Sequence, residues 1–274
     1  MSDEREVWVH EIAVVTGGAG DIGSNIVAAL LAKGARVASG DLRAGPHEFG
    51  QNEGGQVRSD VVDFTSSHAA ERWITDVEAR WGTPTIAVIA AGVSGEHHLI
   101  DTSPDEWRSV LAANLDSAFY TSTAAIRRMI SAGIHGRVVF VGSWAASSPH
   151  PHIGSYSVAK AGLRLLMQTL ALDHAKDGIL VNEVAPGVVE AGLSRALFEK
   201  DPALKRRTLR GIPTGSPSLP DDVTRDVLHL CSPENHSTTG VTGTVSVWPA
   251  MMTRSGRPRV VRATIASPSR VISR

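Results

Sequence analysis

A glycine-rich turn between a predicted strand and a predicted helix constrains the fold more than any other feature. The turn runs from Thr16 to Gly23 after the apolar run 11–15, and the helix behind it stops at Gly34. A second apolar run, 35–39, leads to Asp41. Glycines let a backbone approach a pyrophosphate closely, and a helix N-terminus favours its negative charge. A strand, a glycine turn, a helix, a strand and then an acid about 20 residues on are typical of a dinucleotide-binding unit.

Strand-like and helix-like segments alternate along the rest of the chain. The predicted strands are 56–61, 85–90, 137–141, 179–184 and 243–247, and the predicted helices are 67–81, 104–131, 152–177 and 221–230. This alternation predicts an α/β fold, namely a Rossmann-like, doubly wound parallel sheet in a single domain with helices on both faces. Ligands of such a sheet bind at the carboxyl ends of its strands. Residues 191–220 are rich in polar, Pro and Gly residues and are predicted to form a mobile lid.

A serine, a tyrosine and a lysine have the spacing of a proton-transfer site. Ser143 follows the predicted strand 137–141, and Tyr156 and Lys160 lie one helical turn apart on the next helix. We expect the ammonium of Lys160 to lower the pKa of Tyr156. The Ser143 hydroxyl would hold a substrate oxygen and share its developing charge. Together these residues predict a site that moves a proton between an alcohol and a ketone.

Composition limits the alternatives. A chain of 274 residues with 42% hydrophobic residues and a formal net charge of −1 can build one large core. No apolar run reaches the roughly 18 residues of a membrane span, so no membrane partner is expected. The charged N-terminus lacks a signal-peptide core. The single cysteine, Cys231, excludes an internal disulfide, and we expect a cytoplasmic location.

Two further features resemble ligand-binding sites, but neither has the pattern that such a site requires. Four histidines lie in predicted loops without the spacing of a zinc site, so no metal is predicted; they are His97, His98, His150 and His152. Residues 253–274 carry six arginines, no acid and no aromatic residue, and we expect no nucleic acid to bind there. We therefore place the domain at residues 1–252 and the Arg-rich tail, 253–274, outside the fold.

The chain resembles the single-domain short-chain dehydrogenases/reductases from about Val9 to Val247. The matching residues are Thr16-Gly17 through Gly23, Asp60-Val61, Ala91-Gly92, Asn114, Ser143, Tyr156-Ser-Val-Ala-Lys160 and Pro186-Gly187. The resemblance implies a catalytic tetrad of Asn114, Ser143, Tyr156 and Lys160. In that tetrad Lys160 would also hold the nicotinamide ribose, and Asn114 would support a water-linked proton relay.

The resemblance also implies a set of cofactor contacts. Asp60 and Val61 would flank the adenine, and Pro186 to Val189 would flank the nicotinamide. The residues expected to contact the cofactor are Gly17, Gly20, Asp21, Ile22, Gly23, Asp41, Leu42, Asp60, Val61, Ala90, Ala91, Gly92, Tyr156, Lys160, Pro186, Gly187 and Val189.

Several positions depart from the family pattern. Asp21 stands where the single-domain type usually has glycine, and a carboxylate beside a pyrophosphate is unfavourable unless it turns away or caps a helix. The family's Asn-Asn-Ala-Gly is Ile89-Ala90-Ala91-Gly92 here, and its usual threonine after Pro-Gly is Ala191. The family's closing Asp-Gly-Gly is replaced by Trp248-Pro249-Ala250.

These observations predict an NAD(H)-dependent oxidoreductase that interconverts a secondary alcohol and a ketone, with Tyr156 as proton donor and acceptor. NAD is expected over NADP, because a carboxylate at Asp41 accepts hydrogen bonds from the ribose hydroxyls and repels a 2′-phosphate, although Arg43 offsets that repulsion. The alternatives are a sugar-nucleotide epimerase or dehydratase, suggested by the glycine loop, and a non-catalytic dinucleotide-binding protein. The expected partner is a small-molecule alcohol or ketone of open identity, and the resemblance implies a homotetramer or dimer.

Overall fold

A computed structural model of the chain describes residues 7–45, 55–95, 97–148, 152–212 and 214–245. The Arg-rich tail, the segment Trp248–Ala250 and His150 lie outside the described residues.

Within the described residues, seven parallel strands form one sheet in the order β3-β2-β1-β4-β5-β6-β7. They are β1 (Ile12–Thr16), β2 (Arg36–Asp41), β3 (Val57–Val61), β4 (Ile86–Ile89), β5 (Arg137–Val141), β6 (Leu180–Pro186) and β7 (Thr242–Val245). The central strands β1, β4 and β5 are buried throughout, as expected for parallel strands that are covered on both faces. The predicted doubly wound sheet is confirmed.

Helices connect the strands. They are α1 (Asp21–Lys33), α2 (Ser67–Trp81), α3 (Pro104–Leu111), α4 (Ser117–Ser131), α5 (Gly154–His174), α6 (Gly192–Lys200), α7 (Pro202–Gly211) and α8 (Pro220–Cys231). Local sequence sets several of their ends. Gly34 ends α1 in the left-handed region (φ 103°), which favours glycine, and the Ser66 hydroxyl caps α2 by accepting from Ala69 N.

The core lies on both faces of the sheet because strand side chains alternate in direction. On β1, Ile12 and Val14 pack with α2, α4 and α5, whereas Ala13 and Val15 pack with α1 and α8. The sheet is therefore sandwiched between two helical layers, as predicted. No helix among the described residues has the length and apolar character that crossing a membrane requires.

Two regions differ from the sequence-based prediction. The segment 104–131 is not one regular helix, because a π-helical turn at Ala112–Asp116 separates α3 from α4. The segment 191–220, predicted as a mobile lid, contains the helices α6 and α7, for which no helix was predicted. Backbone hydrogen bonds tie its two ends together, from Glu190 N to Ser218 O and from Ser218 N to Val188 O.

Candidate active site

The predicted site residues gather at the carboxyl edge of the sheet. The strand order reverses between β1 and β4, since the chain winds outward from β1 toward β3 and from β4 toward β7. Ligands of open α/β sheets bind in the crevice at such a switch point. The glycine turn after β1 and the segment Ala90–Gly92 after β4 lie side by side there.

The glycine turn is packed too closely to accept side chains. Gly17 has φ 70°, and a Cβ on it would lie 2.8 Å from backbone atoms of Ala91. A Cβ on Gly23 would lie 2.1 Å from the Gly17 carbonyl oxygen. The Thr16 hydroxyl accepts hydrogen bonds from the N–H groups of Ala90 and Ala91, at 3.0 and 3.1 Å. The start of α1 and the two strand ends thus form a bare backbone cradle that fits a dinucleotide pyrophosphate.

Asp41 lies over this turn at the end of β2. One carboxylate oxygen accepts from Ala19 N at 3.1 Å, and the other accepts from Arg43 N at 3.1 Å. The Arg43 guanidinium is exposed and its Nε lies 3.9 Å from the carboxylate. Leu42 and Val61, at the ends of the neighbouring strands β2 and β3, are exposed apolar side chains. An adenosine with its ribose near Asp41 and its base over apolar surface fits this corner.

Asp60 is oriented from two sides. One of its carboxylate oxygens accepts from Arg58 Nε at 2.6 Å and from Trp73 Nε1 at 2.8 Å. Trp73 is buried against Phe64 in an edge-to-face contact. The rigid indole therefore fixes the carboxylate of Asp60 at the rim of the site.

Asn114 lies on the π-helical turn and is buried. Its amide donates to the carbonyls of Val93 and Val110, at 2.8 and 2.9 Å. Its Oδ1 has no hydrogen-bond partner within the described part of the chain. A Cβ on Gly92 would lie 2.5 Å from this oxygen and 3.5 Å from Lys160 Nζ. An unsatisfied buried acceptor beside an ammonium needs a donor from outside the chain, such as a water molecule.

Ser143, Tyr156 and Lys160 converge between β5 and α5. The Ser143 side chain lies within hydrogen-bonding reach of the Tyr156 hydroxyl and accepts from Ala145 N at 3.1 Å. Lys160 donates to the Val141 carbonyl at 3.0 Å, and its Nζ lies 5.6 Å from the centre of the Tyr156 ring. The last residue of β5 thus anchors the lysine one helical turn after the tyrosine.

Burial controls the titration of this pair. Burial raises the pKa of Tyr156 above its ordinary value, and the hydrogen bond from Ser143 opposes this rise. Burial lowers the pKa of Lys160 to about 8, and the negative charge of Glu183 opposes this fall. The expectation that Lys160 lowers the pKa of Tyr156 is therefore wrong as a net direction, because desolvation of the phenolate outweighs its neighbours.

The remaining residues predicted to contact the cofactor lie around the glycine turn and at the end of β6. The Asp21 carboxylate turns away from the glycine turn and accepts from Gly192 N at 2.8 Å. Ile22 and Val189 pack against the α1 and α8 side of the core. Pro186 ends β6, and Gly187 follows it at the carboxyl edge of the sheet.

An ion pair next to this site was not predicted from the sequence. Arg164 Nε lies 2.7 Å from Glu183 Oε2, and the side chain of Glu183 is fully buried. Two signals were present in the sequence. Arg164 continues the four-residue step from Tyr156 through Lys160, and Glu183 is a charged residue inside an otherwise apolar strand.

The three histidines of the predicted loops that the structure describes contact neighbouring side chains. His97 Nδ1 lies 2.7 Å from Glu106 Oε2, and the rings of His98 and His152 are 3.8 Å apart between centroids. In the described ranges no group of three His, Cys, Asp or Glu side chains is arranged to hold a metal ion.

Comparison with known proteins identifies the family. Residues 11–202 match the short chain dehydrogenase family. The 3-oxoacyl-[acyl-carrier-protein] reductase FabG of Salmonella typhimurium is 30% identical over 233 residues, which cover 85% of this chain and 94% of that protein. FabG of Chlamydia pneumoniae is 32% identical over 231 residues, which cover 82% and 90%. The crystal structure of gox2181 is similar with a TM-score of 0.82 and 31% identity, covering 88% of this chain and 96% of that chain.

The family match extends over β1 to β6, the glycine turn and the segment that carries Tyr156 and Lys160. Three comparisons agree: a family match over most of the chain, relatives that are 30% identical or more, and a solved structure with a similar fold. The chain therefore belongs to the short-chain dehydrogenase family, as an oxidoreductase that acts on a CH–OH or keto group and binds a nicotinamide dinucleotide.

Proposed function

We propose that this protein interconverts a secondary alcohol and a ketone with NAD(H), and that Tyr156 donates and accepts the proton. The observation that carries the proposal is the convergence of Ser143 and Tyr156 between β5 and α5, with Lys160 anchored to the Val141 carbonyl one helical turn away. The nicotinamide, when bound, supplies or accepts the hydride.

In reduction, the Tyr156 hydroxyl gives its proton to the carbonyl oxygen while the Ser143 hydroxyl holds that oxygen. The raised pKa of Tyr156 keeps the phenol protonated at neutral pH, which suits this direction. In oxidation the same oxygen takes the proton from the alcohol. One Lys160 proton is engaged by the Val141 carbonyl, so the others are available to a ribose hydroxyl and to water. Asn114 Oδ1 would accept from that water and complete a proton relay.

The cofactor contacts follow from the cradle. We propose that the backbone of Gly17, Gly20 and the first α1 residues, Asp21 to Gly23, holds the pyrophosphate. Asp60 and Val61 flank the adenine, Ala90 to Gly92 lie along the ribose, and Pro186 to Val189 flank the nicotinamide. NAD is proposed over NADP, because the Asp41 carboxylate next to the glycine turn would repel a 2′-phosphate.

The substrate is a small alcohol or ketone. The relatives named above act, by name, on a 3-oxoacyl group attached to a carrier protein. A 3-oxoacyl group contains a ketone of the kind that Tyr156 and Ser143 would serve, so it belongs first in a substrate panel, beside sugars, polyols and cyclic alcohols. An epimerase or dehydratase would produce no net change in the reduced nicotinamide, and a non-catalytic protein would bind the dinucleotide without turnover.

The proposal extends to a homo-oligomer, a dimer or a tetramer. Val158, Leu165 and Leu172 recur every seven residues along α5 and are 45%, 64% and 83% exposed. Their side of α5 faces away from the buried Leu163 and Met167, so it offers an apolar stripe for a second copy. A light-scattering mass equal to one chain would contradict this assembly.

Two coarser proposals concern location and domain extent. A lone buried cysteine, Cys231, favours a cytoplasmic location. Residues 1–252 are proposed to form the oxidoreductase domain, with 253–274 outside it. A chain that ends at Met252 should then retain its fold, its oligomeric state and its turnover.

Tyr156→Phe tests the proposed function. It removes the hydroxyl and keeps the ring, so folding and NAD binding should survive while turnover falls by about 10²-fold or more. The only other tyrosine, Tyr120, packs against the core on the α4 side, and Tyr120→Phe is the matched control with near-parental turnover. Turnover by Tyr156→Phe within a few-fold of the parent would refute the proposal. The assay follows the absorbance of the reduced nicotinamide across the substrate panel.

A further inference from the structure

Arg164 and Glu183 form a hydrogen-bonded ion pair beneath the proposed proton-transfer site, in which Glu183 is fully buried and Arg164 is half-buried. Arg164 donates from Nε to Glu183 Oε2 at 2.7 Å and from Nη2 to Oε1 at 3.3 Å. The Thr242 hydroxyl donates to Oε2 at 2.7 Å, which satisfies the carboxylate further. The pair therefore joins α5, β6 and β7 inside the sheet layer.

The other face of the Arg164 guanidinium holds the turn that begins at Ser143. Nη2 donates to the Ser143 carbonyl at 3.1 Å, and Nη1 donates to the Ser147 hydroxyl. These two residues flank the short 3₁₀ turn Trp144–Ala146. One side chain thus fixes both ends of the turn, and the position of that turn sets the position of the Ser143 hydroxyl.

Glu183 lies close to the lysine side of the site as well. A Cβ on Gly142 would lie 1.8 Å from Glu183 Oε1, so the carboxylate packs directly on the backbone between Val141 and Ser143. Val141 supplies the carbonyl that accepts from Lys160. The negative charge of Glu183 favours the ammonium form of Lys160 against the effect of burial.

The charged groups around Lys160 are few within the described ranges. On α5 itself they are Tyr156 and Arg164, and on β6 it is Glu183. The π-helical turn presents the neutral Asn114, and its Asp116 is exposed. On α3, which also packs against α5, Asp105 is exposed and Glu106 pairs with His97.

We propose that Arg164 and Glu183 are positioning residues of this active site: Arg164 fixes the turn that carries Ser143, and Glu183 supplies the buried negative charge that keeps Lys160 protonated. The inference rests on the proposed function of Tyr156 and Lys160. The alternative is a purely structural role, because removing one partner of a buried ion pair destabilises a protein even where no active site lies nearby. The two roles differ in the pH dependence that they predict.

Glu183→Gln removes the charge and keeps the shape. If Glu183 holds the proton on Lys160, the loss of its charge moves the alkaline limb of ketone reduction to lower pH. A one-unit fall from the parental pKa of about 8 lowers the protonated fraction of Lys160 about 5-fold at pH 8 and hardly at all at pH 6. The ratio of kcat at pH 8 to kcat at pH 6 should therefore fall about 5-fold relative to the parent.

Matched variants separate charge from packing. Thr242→Val removes one hydrogen bond to Glu183 without changing its charge, so its pH profile should superimpose on that of the parent. Arg164→Lys keeps the positive charge but cannot hold Ser143, Ser147 and Glu183 together, so kcat should fall at every pH without a shifted profile. If Glu183→Gln does not fold, as judged by circular dichroism, the neutral pair Arg164→Gln with Glu183→Gln replaces it. A smaller shift in the same direction is then expected, because the loss of the Arg164 charge partly offsets the loss of the Glu183 charge.

A Glu183→Gln profile that superimposes on the parent would overturn the inference, as would an equal shift in Thr242→Val. Tyr156→Phe distinguishes this failure from failure of the proposed function. If Tyr156→Phe is inactive and Glu183→Gln shows no pH shift, only the positioning role is wrong. If Tyr156→Phe keeps its turnover, the proposed function is wrong and the positioning role is wrong with it.

Discussion

The Asp21 carboxylate, at the first residue of α1, accepts a hydrogen bond from the backbone N–H of Gly192, the first residue of α6, at 2.8 Å. The Arg195 guanidinium lies 3.6 Å from the same carboxylate oxygen. A carboxylate at a helix N-terminus is stabilised by the helix dipole, and Asp21 occupies that position in two helices at once. Asp21 therefore connects the start of α1, directly after the glycine turn, to the start of α6.

Replacing Asp21 should strengthen cofactor binding and loosen the lid. Asp21→Asn removes a negative charge beside the proposed pyrophosphate site and keeps an acceptor for Gly192, so the Kd of NAD should fall about 2- to 5-fold at low salt and less at high salt. Asp21→Ala should give the same gain and also faster proteolysis within α6, because Gly192 N loses its partner. Fluorescence titration at two ionic strengths and limited proteolysis measure these effects.

Asp105→Asn is the control for a change of charge alone, because Asp105 is an exposed acid in the first turn of α3. It should leave the Kd of NAD unchanged. Weaker NAD binding by Asp21→Asn would mean that the carboxylate itself contributes to cofactor binding.

Substitutions at two glycines of the turn should have different effects on stability and on cofactor binding. A Cβ on Gly23 would lie 2.1 Å from the Gly17 carbonyl, whereas a Cβ on Gly20 would lie 3.4 Å from the same atom. Gly23→Ala should therefore lower the free energy of unfolding by about 1–3 kcal/mol. Gly20→Ala should change it by less than about 1 kcal/mol while still weakening NAD binding, because its methyl group would enter the cradle. Equal losses of stability in the two variants, measured by urea unfolding, would contradict this assignment.

Much of the sheet and of the candidate site could be predicted because short-range chemistry determines them. The predicted strands match β1 to β6 to within two residues at each end, mostly from apolar β-branched runs, and Gly34 marks the end of α1. The sequence also predicted that Ser143, Tyr156 and Lys160 would meet, since a strand end and a helical repeat position them. These signals are local and do not depend on distant partners.

The missed features depend on tertiary contacts. The helices α6 and α7 lie in a segment rich in Pro and Gly, and α6 begins where the Asp21 carboxylate of α1 accepts from Gly192 N. The π-helical turn at Asn114 has no marker in the sequence, and the Asn114 side-chain amide donates there to the carbonyls of Val93 and Val110. The net direction of the Tyr156 pKa depends on burial, which only the packed structure reveals.

Asp41 should determine cofactor choice. A hydrogen bond to a charged group contributes about 1.5–3 kcal/mol, so Asp41→Ala should raise the KM for NAD by about 10-fold or more. The same change removes the repulsion of a 2′-phosphate and should improve kcat/KM with NADP. Arg43→Ala is the companion variant, because the exposed Arg43 is the positive charge nearest to that carboxylate and should matter only with NADP. Equal kcat/KM with both cofactors in the unmutated protein would contradict the choice of NAD.

Lys160 should make the stability of the protein depend on pH in a defined window. Its pKa is about 8 in the folded protein and about 10.4 in an unfolded chain, so between these values the unfolded chain binds more protons. The free energy of unfolding should therefore rise with pH there: the buried charge destabilises the fold fully below pH 8, and this effect disappears as pH rises toward 10.4. Between pH 7 and pH 9.5 the contribution of Lys160 amounts to about 2 kcal/mol.

Urea unfolding of the parent and of Lys160→Met at these two pH values measures that contribution. The variant loses its hydrogen bond to Val141 at both pH values, so only the change with pH is informative. The raised pKa of Tyr156 lowers stability only above about pH 10, outside the window and in both proteins. The parent should gain about 2 kcal/mol more than Lys160→Met from pH 7 to pH 9.5. Lys176→Met, which replaces an exposed lysine, should follow the parent. Equal changes in the parent and Lys160→Met would show that the buried ammonium does not titrate in this window.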